Sequence, residues 1–485
     1  MFSRLFWYGL VFLLCVVVFA NIRARRPRQG VLLAASYALY LTWGLWFAAV
    51  LLTSTGMNFL MGEWLRRKPS GRILATGIAL NLSLLSVFKY LPAVAVALPF
   101  ASVHRFSHLA VPVGISFWTF QAMSYQFDIY RGDELGPSLF EFALYMAFFP
   151  VMISGPICRM PEMLPQFRSE SAVSWSSIGQ GLSRIATGAF MMALARLLGQ
   201  GILAGDSINT GLDQVTRWTG PDVWCLAVGY GLQLFFDFAG YSHIAIGAAH
   251  VLGITLPQNF ARPFGSTSPS VFWTRWHMSL SFWIRDYVFF PLATLRRETW
   301  WRNLALVVSM VLFGVWHRAS VLFLLWGSYH GVLLVLHRQV QQLQRKFNWT
   351  PPARLATGIA WMVTMLPINL GWIFFRANSL TQARAMLTSV LSPAGYLTHS
   401  LSGSLYLLVL GLAVGYAVAV LVSDALDHYS RVDESTPACG GRAVALIARW
   451  RWFWISPLYA IALLFLLIVE FSHGVSTAQF MYGNF

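Results

Sequence analysis

Apolar runs long enough to cross a bilayer recur along the whole of this sequence and constrain its fold more than any other feature. The 485 residues are 57% hydrophobic and only 11% charged, whereas soluble domains carry about 25% charged residues. Backbone groups in lipid must be satisfied internally, and runs this long exclude the alternating strands of a barrel. At about 20 residues per crossing, the sequence predicts an all-α polytopic membrane protein with roughly 10–12 transmembrane or re-entrant helices. The runs lie at roughly 4–20, 31–63, 73–100, 110–128, 138–155, 179–204, 222–254, 270–293, 303–337, 354–375, 401–423 and 452–472.

The net charge of +16 comes from 34 Lys and Arg against 18 Asp and Glu. In a soluble protein this balance would suggest nucleic-acid binding. Here the basic residues cluster in short connectors such as "NIRARRPRQG" (21–30) and "WLRRKPSGR" (64–72), as the positive-inside rule describes for cytoplasmic loops. The pattern therefore favours a lipid bilayer as the environment, with no nucleic acid, and a retained first span at 4–20 rather than a cleaved signal peptide.

Two apolar runs, 31–63 and 303–337, are longer than one crossing needs, and basic connectors flank both ends of each. A single crossing would place one basic connector on the wrong side of the membrane. We therefore expect each run to turn back on itself, the first near Gly44 and the second near "GVWHRAS" (314–320). A single steeply tilted helix in either run remains the alternative.

The polar connectors are short, and the chain shows no internal repeat, so the sequence predicts one membrane domain over 1–485. The four cysteines have neither metal-ligand nor CxxC spacing, which argues against a disulfide framework. The sequence also has no Gly-rich phosphate loop, HExxH or GxSxG motif. Nucleotide hydrolysis, zinc-protease chemistry and α/β-hydrolase chemistry have no support, and we expect neither a metal nor a bound cofactor.

His317 lies in the apolar, aromatic stretch "FGVWHRASVLFLLWGSYHG" (313–331), between Trp316 and Arg318. Ionisable side chains at membrane depth cost several kcal/mol and indicate function by default. A histidine there suits a general base that takes a proton from a hydroxyl group near neutral pH. The alternative is a buried histidine that ties two helices together. His330 lies between Gly327 and Gly331, a spacing that favours close helix packing over chemistry.

His277 lies in "FWTRWHMSLSFWIRDYVFFPL" (272–292), which is too polar for a lipid-facing span. Its mixture of Arg275, Trp276 and Asp286 suits an interfacial helix or one that lines an aqueous funnel. Arg285 and Asp286 are adjacent, so a regular helix would point them in different directions and each would need another partner.

Asp237 is a lone carboxylate among phenylalanines in "LQLFFDFAGYSH" (232–243). A charge in such surroundings is a candidate for a substrate-binding or supporting residue. A paired, structural carboxylate is the alternative.

Five stretches together resemble the membrane-bound O-acyltransferase family, in the branch that includes alginate O-acetylation and teichoic-acid D-alanyl transfer proteins. The resemblance implies a family-like core at about 111–376, with N-terminal helices at 1–110 and C-terminal helices at 401–485. The terminal "STAQFMYGNF" is similar to the aromatic tail of this branch. The five stretches are "VPVGISFWTFQAMSYQFDIYRG" (111–132), "FFPVMISGPICR" (148–159), "GYGLQLFFDFAGYSHIAIGAAHVLGITLPQNFARPF" (229–264), "FWTRWHMSLSFWIRDYVFFPL" (272–292) and "FGVWHRASVLFLLWGSYHG" (313–331).

This resemblance implies O-acyl transfer through a central tunnel across the bacterial cytoplasmic (inner) membrane. His317 falls on the family's catalytic histidine, and His277 on the second histidine of this branch. The donor is expected to be acetyl-CoA or an acyl-carrier thioester on the cytoplasmic side. The acceptor is expected to be a hydroxyl of an exported polysaccharide, or of a periplasmic SGNH-hydrolase-like acetyltransferase partner. We expect substrate-binding or supporting roles for Arg318, Asp237, Arg275, Asp286, Trp316 and Trp276.

Arg318 departs from the pattern, because this branch usually has glycine after the histidine. A cation there would hold an anionic donor or acceptor, so the departure bears on substrate identity more than on reaction class. The rival interpretation from another class is a polytopic transporter or flippase for a lipid-linked saccharide. Such transporters often contain two related halves, which this sequence lacks.

Overall fold

The structure, a computed structural model, describes residues 2–97, 106–107, 109–134, 136–201, 206–213, 218–347 and 353–430, together with Ile461 and Leu464. Within these residues the chain is helical and contains no β-strand, as the sequence predicts. Short 3₁₀ turns occur at Pro263–Gly265 and Pro393–Tyr396, and a π-helical turn occurs at Arg285–Phe289. The α-helices are α1 (Phe2–Asn21), α2 (Arg25–Leu41), α3 (Leu45–Arg67), α4 (Gly71–Lys89), α5 (Leu91–Ala97), α6 (Ile115–Tyr130), α7 (Leu139–Ala147), α8 (Met160–Arg168), α9 (Trp175–Gln200), α10 (Ile208–Asp213), α11 (Gly220–Val251), α12 (Pro269–Trp273), α13 (Met278–Ile284), α14 (Phe290–Ala293), α15 (Thr299–His317), α16 (Val321–Lys346), α17 (Ala353–Arg376), α18 (Leu380–Leu391) and α19 (Gly403–Ser430).

Eight helices in the described part of the chain are long and apolar enough to cross a membrane. The chain is therefore a multi-pass membrane protein, as predicted. The predicted segment at 452–472, the aromatic tail and Cys439 lie outside the described residues, and the prediction of a single domain over 1–485 stays a prediction. The other three cysteines are free and buried. The eight spans are Leu45–Arg67, Gly71–Lys89, Trp175–Gln200, Gly220–Val251, Thr299–His317, Val321–Lys346, Ala356–Arg376 and Gly403–Ala425.

Both double-length runs are interrupted where the sequence predicts a turn, so neither is a single helix, and the second folds into a closely packed hairpin. In the first, α2 ends at Leu41 and α3 begins at Leu45, with Gly44 between them at φ 135°. Residues with a side chain rarely adopt this part of φ/ψ space, so glycine is the residue that permits the turn. In the second, residues 318–320 join α15 to α16.

The α15–α16 hairpin is packed backbone against backbone. A Cβ on Gly314 would lie 2.2 Å from the Phe323 carbonyl oxygen, and one on Gly327 would lie 2.4 Å from the Met310 carbonyl oxygen. A Cβ on Gly331 would lie 2.9 Å from Val307 Cα. These small residues allow the two helices to approach closely, as in other membrane helix pairs.

We expect Gly327→Ala to lower the free energy of unfolding by about 2 kcal/mol, because the new methyl group must push the helices apart. Thermal unfolding in detergent micelles measures the change. Gly358→Ala in α17 is the matched control, because a Cβ at Gly358 has nothing within 4 Å. Equal melting temperatures for the two variants would contradict this account of the hairpin.

Two predicted apolar segments are not continuous helices, which corrects the sequence interpretation. In the run 138–155, only α7 is helical, and the chain then follows turns and irregular backbone up to α8. Pro150 and Pro156 lack the backbone N–H that a helix interior requires. The run 270–293, expected as one interfacial helix, is broken into α12, α13, the π-helical turn and α14.

The described residues form two compact units, and the first consists of Met1–Ile185 with Ala245–Gln258. Its helices α3, α4 and α6 are joined by a buried amide cluster. Asn58 Oδ1 accepts hydrogen bonds from Asn81 Nδ2 at 2.7 Å and from Gln126 Nε2 at 2.6 Å. Hydrogen bonds of this kind fix helix register in a membrane, where apolar side chains alone give little specificity.

The second unit consists of Ala186–Ile244 with Asn259–Phe485. It contains all eight predicted site residues and the α15–α16 hairpin. Its core is dominated by buried aromatic rings, among them Phe238, Phe272, Phe313, Trp326 and Trp372.

Candidate active site

His317 is the last residue of α15 and is only 3% exposed. Aromatic rings surround its imidazole: Phe313 stacks on it at a centroid distance of 5.1 Å, and Trp316 lies at 4.7 Å. Trp326 of α16 and Phe375 of α17 approach at 5.7 and 5.3 Å. The imidazole therefore lies in a shell from which bulk water is excluded.

Helix geometry places His317 far from the basic end of its hairpin. The basic residues lie around the start of α15 (Arg296, Arg302) and at the end of α16 (Arg345, Lys346). The 19 residues of α15 span about 28 Å, so His317 lies about that distance from the basic start of its helix. The C-terminal carbonyl groups of a helix also stabilise the positive charge that an imidazole acquires when it accepts a proton.

His277 is fully buried at the junction of α12 and α13, where Asn259 holds it in place. The Asn259 side chain contacts His277 Nδ1 at 3.0 Å and Ser279 Oγ at 2.9 Å, and its backbone oxygen accepts from Met278 N at 2.8 Å. Asn259 Nδ2 donates to Ser242 Oγ of α11 at 3.1 Å. His277 has φ 44°, a strained value for a non-glycine residue that the surrounding contacts must maintain.

These contacts assign the tautomer of His277. Asn259 Oδ1 accepts from the Ser279 backbone N–H at 3.3 Å, and a backbone N–H can only donate. The same oxygen must therefore accept from His277, so Nδ1 carries the proton. Nε2 then holds a lone pair, and His277 presents a hydrogen-bond acceptor at that atom.

Burial lowers the pKa of His277 from its ordinary value of 6.5 to about 3, so the ring is neutral at physiological pH. An exposed histidine in the unfolded chain titrates near pH 6.5, so the unfolded state binds more protons at lower pH and stability falls as pH falls. When the pH is lowered from 6.5 to 5, we expect the free energy of unfolding of wild type to fall by about 2 kcal/mol more than that of His277→Gln. Thermal unfolding of both proteins at the two pH values measures this, and parallel pH profiles would contradict it.

A continuous aromatic layer connects the surroundings of the two histidines. Phe375 contacts Trp372 at 6.0 Å, and Trp372 contacts Trp276, the neighbour of His277, at 4.9 Å. The indole N–H groups of Trp273, Trp326 and Trp372 have no hydrogen-bond acceptor among the described residues. The layer thus holds both imidazoles and contains buried donors near His317.

The other predicted site residues divide between this layer and its edge. Trp316 and Trp276 are buried within it, and Asp237 is buried on α11 beside Phe238, whose ring lies 4.6 Å from His277. Arg275 is half-buried, and its backbone oxygen accepts from Ala261 N at 3.0 Å. Arg318, by contrast, is exposed in the connection between α15 and α16.

Arg285 and Asp286 correct another expectation, because they pair with each other. Arg285 Nε donates to Asp286 Oδ1 at 2.7 Å. The prediction of separate directions assumed a regular helix, whereas these residues lie in the π-helical turn and the arginine side chain is long enough to fold back. His330 packs as predicted: it is 1% exposed and lies against Trp273 and Trp326 at 5.2 and 4.9 Å.

Sequence reasoning missed Asn259, Trp326, Trp372 and Phe375. Asn259 lies inside the quoted stretch 229–264, but an asparagine in a polar loop gives no signal of its own. The three aromatic residues are typical of any membrane helix. In the described part of the chain, no three His, Cys, Asp or Glu side chains come together as metal ligands.

Comparison with known proteins gives a family match and several relatives. Residues 34–376 match the membrane-bound O-acyltransferase family. A probable alginate O-acetylase of Pseudomonas syringae is 32% identical over 385 residues, which cover 76% of this chain and 71% of the relative. A peptidoglycan O-acetyltransferase of Helicobacter pylori is 30% identical over 402 residues, covering 75% and 74%. A teichoic acid D-alanyltransferase of Bacillus subtilis is 31% identical over 276 residues, covering 54% and 68%.

Proposed function

Because the chain belongs to the membrane-bound O-acyltransferase family, and is thus a membrane acyltransferase, we propose that it moves an acetyl group from a cytoplasmic thioester to a hydroxyl of an exported cell-envelope polysaccharide. The names of the relatives support acetyl transfer to alginate or peptidoglycan. The observation that carries the proposal is His317, buried in an aromatic shell at the end of its hairpin opposite the basic residues.

In the proposed reaction, the oxygen of the acceptor hydroxyl attacks the thioester carbonyl carbon, and His317 accepts the hydroxyl proton at the same time. The new C–O ester bond forms, the C–S bond breaks, and the thiolate leaves and takes up a proton. General base catalysis of this kind contributes about 10²–10⁴-fold in rate. Exclusion of water by the aromatic shell protects the thioester from hydrolysis.

His277 has a supporting role in this proposal. Of the two roles that its position suggests, orienting the donor and polarising its carbonyl, the assigned tautomer favours the first. A lone pair at Nε2 accepts a hydrogen bond from an amide or hydroxyl group but cannot donate to a carbonyl oxygen. The indole N–H of Trp326, 5.7 Å between ring centroids from His317, is a better candidate for the donor that stabilises the developing oxyanion.

The direction of transfer follows from the charges. We propose that the basic end of the α15–α16 hairpin faces the cytoplasm of a bacterial inner membrane, in accordance with the positive-inside rule. The thioester, acetyl-CoA or an acyl-carrier protein, is attracted by this basic surface and reaches a tunnel lined by aromatic side chains. His317 then lies near the extracytoplasmic face, where it meets a polysaccharide or an SGNH-hydrolase-like partner that completes the transfer, and the exposed Arg318 is available to an anionic acceptor.

The test is a transfer assay in membranes that contain the protein. Acetyl-labelled thioester is supplied on the cytoplasmic side, and label is followed into alkali-labile esters on polymer released from the opposite side. Label in such esters, dependent on the protein, supports the proposal. Movement of unmodified saccharide across the membrane without esterification would favour a transporter instead.

A further inference from the structure

A cavity of about 430 Å³ lies between the short helices α12 and α13 with their π-helical turn on one side and the α15–α16 hairpin on the other. No role in the proposed reaction requires it. Its walls are mainly apolar, and on the hairpin side they are formed by Leu306, Met310 and Phe313 of α15 and Leu334 of α16.

The residues that line the cavity follow one side of the α15–α16 hairpin. One end is marked by Arg338 and Gln341 near the basic end of the hairpin, and the other by Phe313. Arg338 lies level with Asn303, since Arg338 Nη1 donates to Asn303 Oδ1 at 3.4 Å. The α15 residues of the wall run from Leu306 to Phe313, seven positions apart, so this wall extends about 10 Å along the helix.

Positive charge is concentrated at the Arg338 end. Within the described residues, Arg338 forms no ion pair, and its one hydrogen bond goes to the neutral Asn303. Arg285, which also lines the cavity, pairs with Asp286 and keeps 48% of its side chain exposed. The cavity is therefore amphipathic, with an uncompensated cation at one end and hydrocarbon walls beyond it.

We propose that this cavity binds an anionic phospholipid. Its phosphate pairs with Arg338, and one acyl chain lies along α15 and ends at Phe313. A cation near the membrane surface attracts an anionic lipid headgroup by about 1 kcal/mol, and the burial of methylene groups adds to this.

The residues that line the cavity favour a hydrocarbon chain over the narrow, amide-containing arm that carries the acyl group in a thioester donor. Of the four wall hydroxyl groups, that of Ser270 lies on an exposed residue. The other three already donate to backbone carbonyls: Thr274 to Val271, Ser281 to Trp276 and Ser309 to Ala305. They have no further proton to offer to the amide carbonyl groups of such an arm, and unpaired buried amides are costly. A hydrocarbon chain requires no partners.

The end of the lipid chain would contact the ring that stacks on His317. Phe313 lines the cavity and lies 5.1 Å from the imidazole. An occupied cavity therefore limits the movement of Phe313 and holds His317 in one orientation. This coupling rests on the proposed function, whereas the lipid site itself does not.

Native mass spectrometry of the purified full-length chain tests the binding site without any activity assay. The protein is released from nanodiscs of phosphatidylcholine that contain a minor fraction of phosphatidylglycerol, and bound phosphatidylglycerol is counted. We expect Arg338→Gln to bind phosphatidylglycerol about fivefold more weakly than wild type. Arg345→Gln, which removes a cation of the same helix that does not line the cavity, is expected to stay within about twofold.

Equal retention of phosphatidylglycerol by Arg338→Gln and wild type would overturn the proposal. So would displacement of the lipid by free coenzyme A, which would assign the cavity to the thioester donor. The experiment counts bound lipid and does not depend on acyl transfer. Failure of the lipid-site proposal can therefore be distinguished from failure of the proposed function.

Discussion

Acyl transfer by His317→Ala is expected to fall about 10²–10⁴-fold below wild type, the contribution of a general base. The imidazole is 3% exposed and enclosed by four aromatic rings, so bulk water has little access to take over its role. Transfer of labelled acetyl groups in membranes with equal amounts of protein measures the loss.

His317→Gln separates the chemistry from the packing. Glutamine fills similar space and forms hydrogen bonds but does not accept a proton near neutral pH, so we expect the same loss of activity with smaller loss of stability. His337→Gln, which removes a histidine of α16 outside the aromatic shell, is the matched control and should retain activity. Transfer near the wild-type rate by a well-folded His317→Gln would rule out a general-base role.

The second large effect is expected at Asn259. Asn259→Ala leaves the proton donors of His277 and Ser279 without their shared acceptor, and each unsatisfied buried donor costs about 1–3 kcal/mol. We expect the free energy of unfolding to fall by about 3 kcal/mol. Acyl transfer should fall about 100-fold, because the displaced imidazole no longer has a fixed direction.

Ser242→Ala is the graded control for this prediction. It removes the partner of Asn259 Nδ2 and leaves the acceptor side of the amide intact, so we expect a cost of about 1 kcal/mol and nearly normal transfer. Thermal unfolding and the labelled-acetyl assay are measured on both variants. Full activity in Asn259→Ala, together with a lower melting temperature, would show that Asn259 only holds the fold.

The two hairpins show how far sequence reasoning reaches in this protein. Basic connectors at both ends of an apolar run, together with its excess length, predicted a turn near Gly44 and another near "GVWHRAS" (314–320), and the structure interrupts both runs there. The argument succeeded because an arginine cannot stay in hydrocarbon without a large cost. His317 was identified on the same grounds, as a costly residue in an apolar run, and by its resemblance to a family histidine.

The surroundings of the site could not be predicted in the same way. The Asn259–His277 contact joins residues 18 positions apart across an irregular loop, and its geometry depends on the left-handed φ of His277. The Arg285–Asp286 pair depends on a π-helical turn that no periodicity indicates. Phe375 and Trp372 reach the histidines from α17, and only the packing of that helix selects them from the 75 aromatic residues (37 Phe, 21 Trp, 17 Tyr) of the chain.

The sequence by itself determined that the chain is a helical membrane protein, where its hairpins turn, and which histidine lies at the end of the second. These properties follow from the cost of placing charges and unpaired backbone groups in lipid, which acts locally along the chain. Only the tertiary structure decided which tautomer His277 adopts, which rings enclose His317 and where an amphipathic cavity forms. Those depend on side chains from distant helices, whose contacts in a membrane are set by close packing and hydrogen bonds rather than by hydropathy.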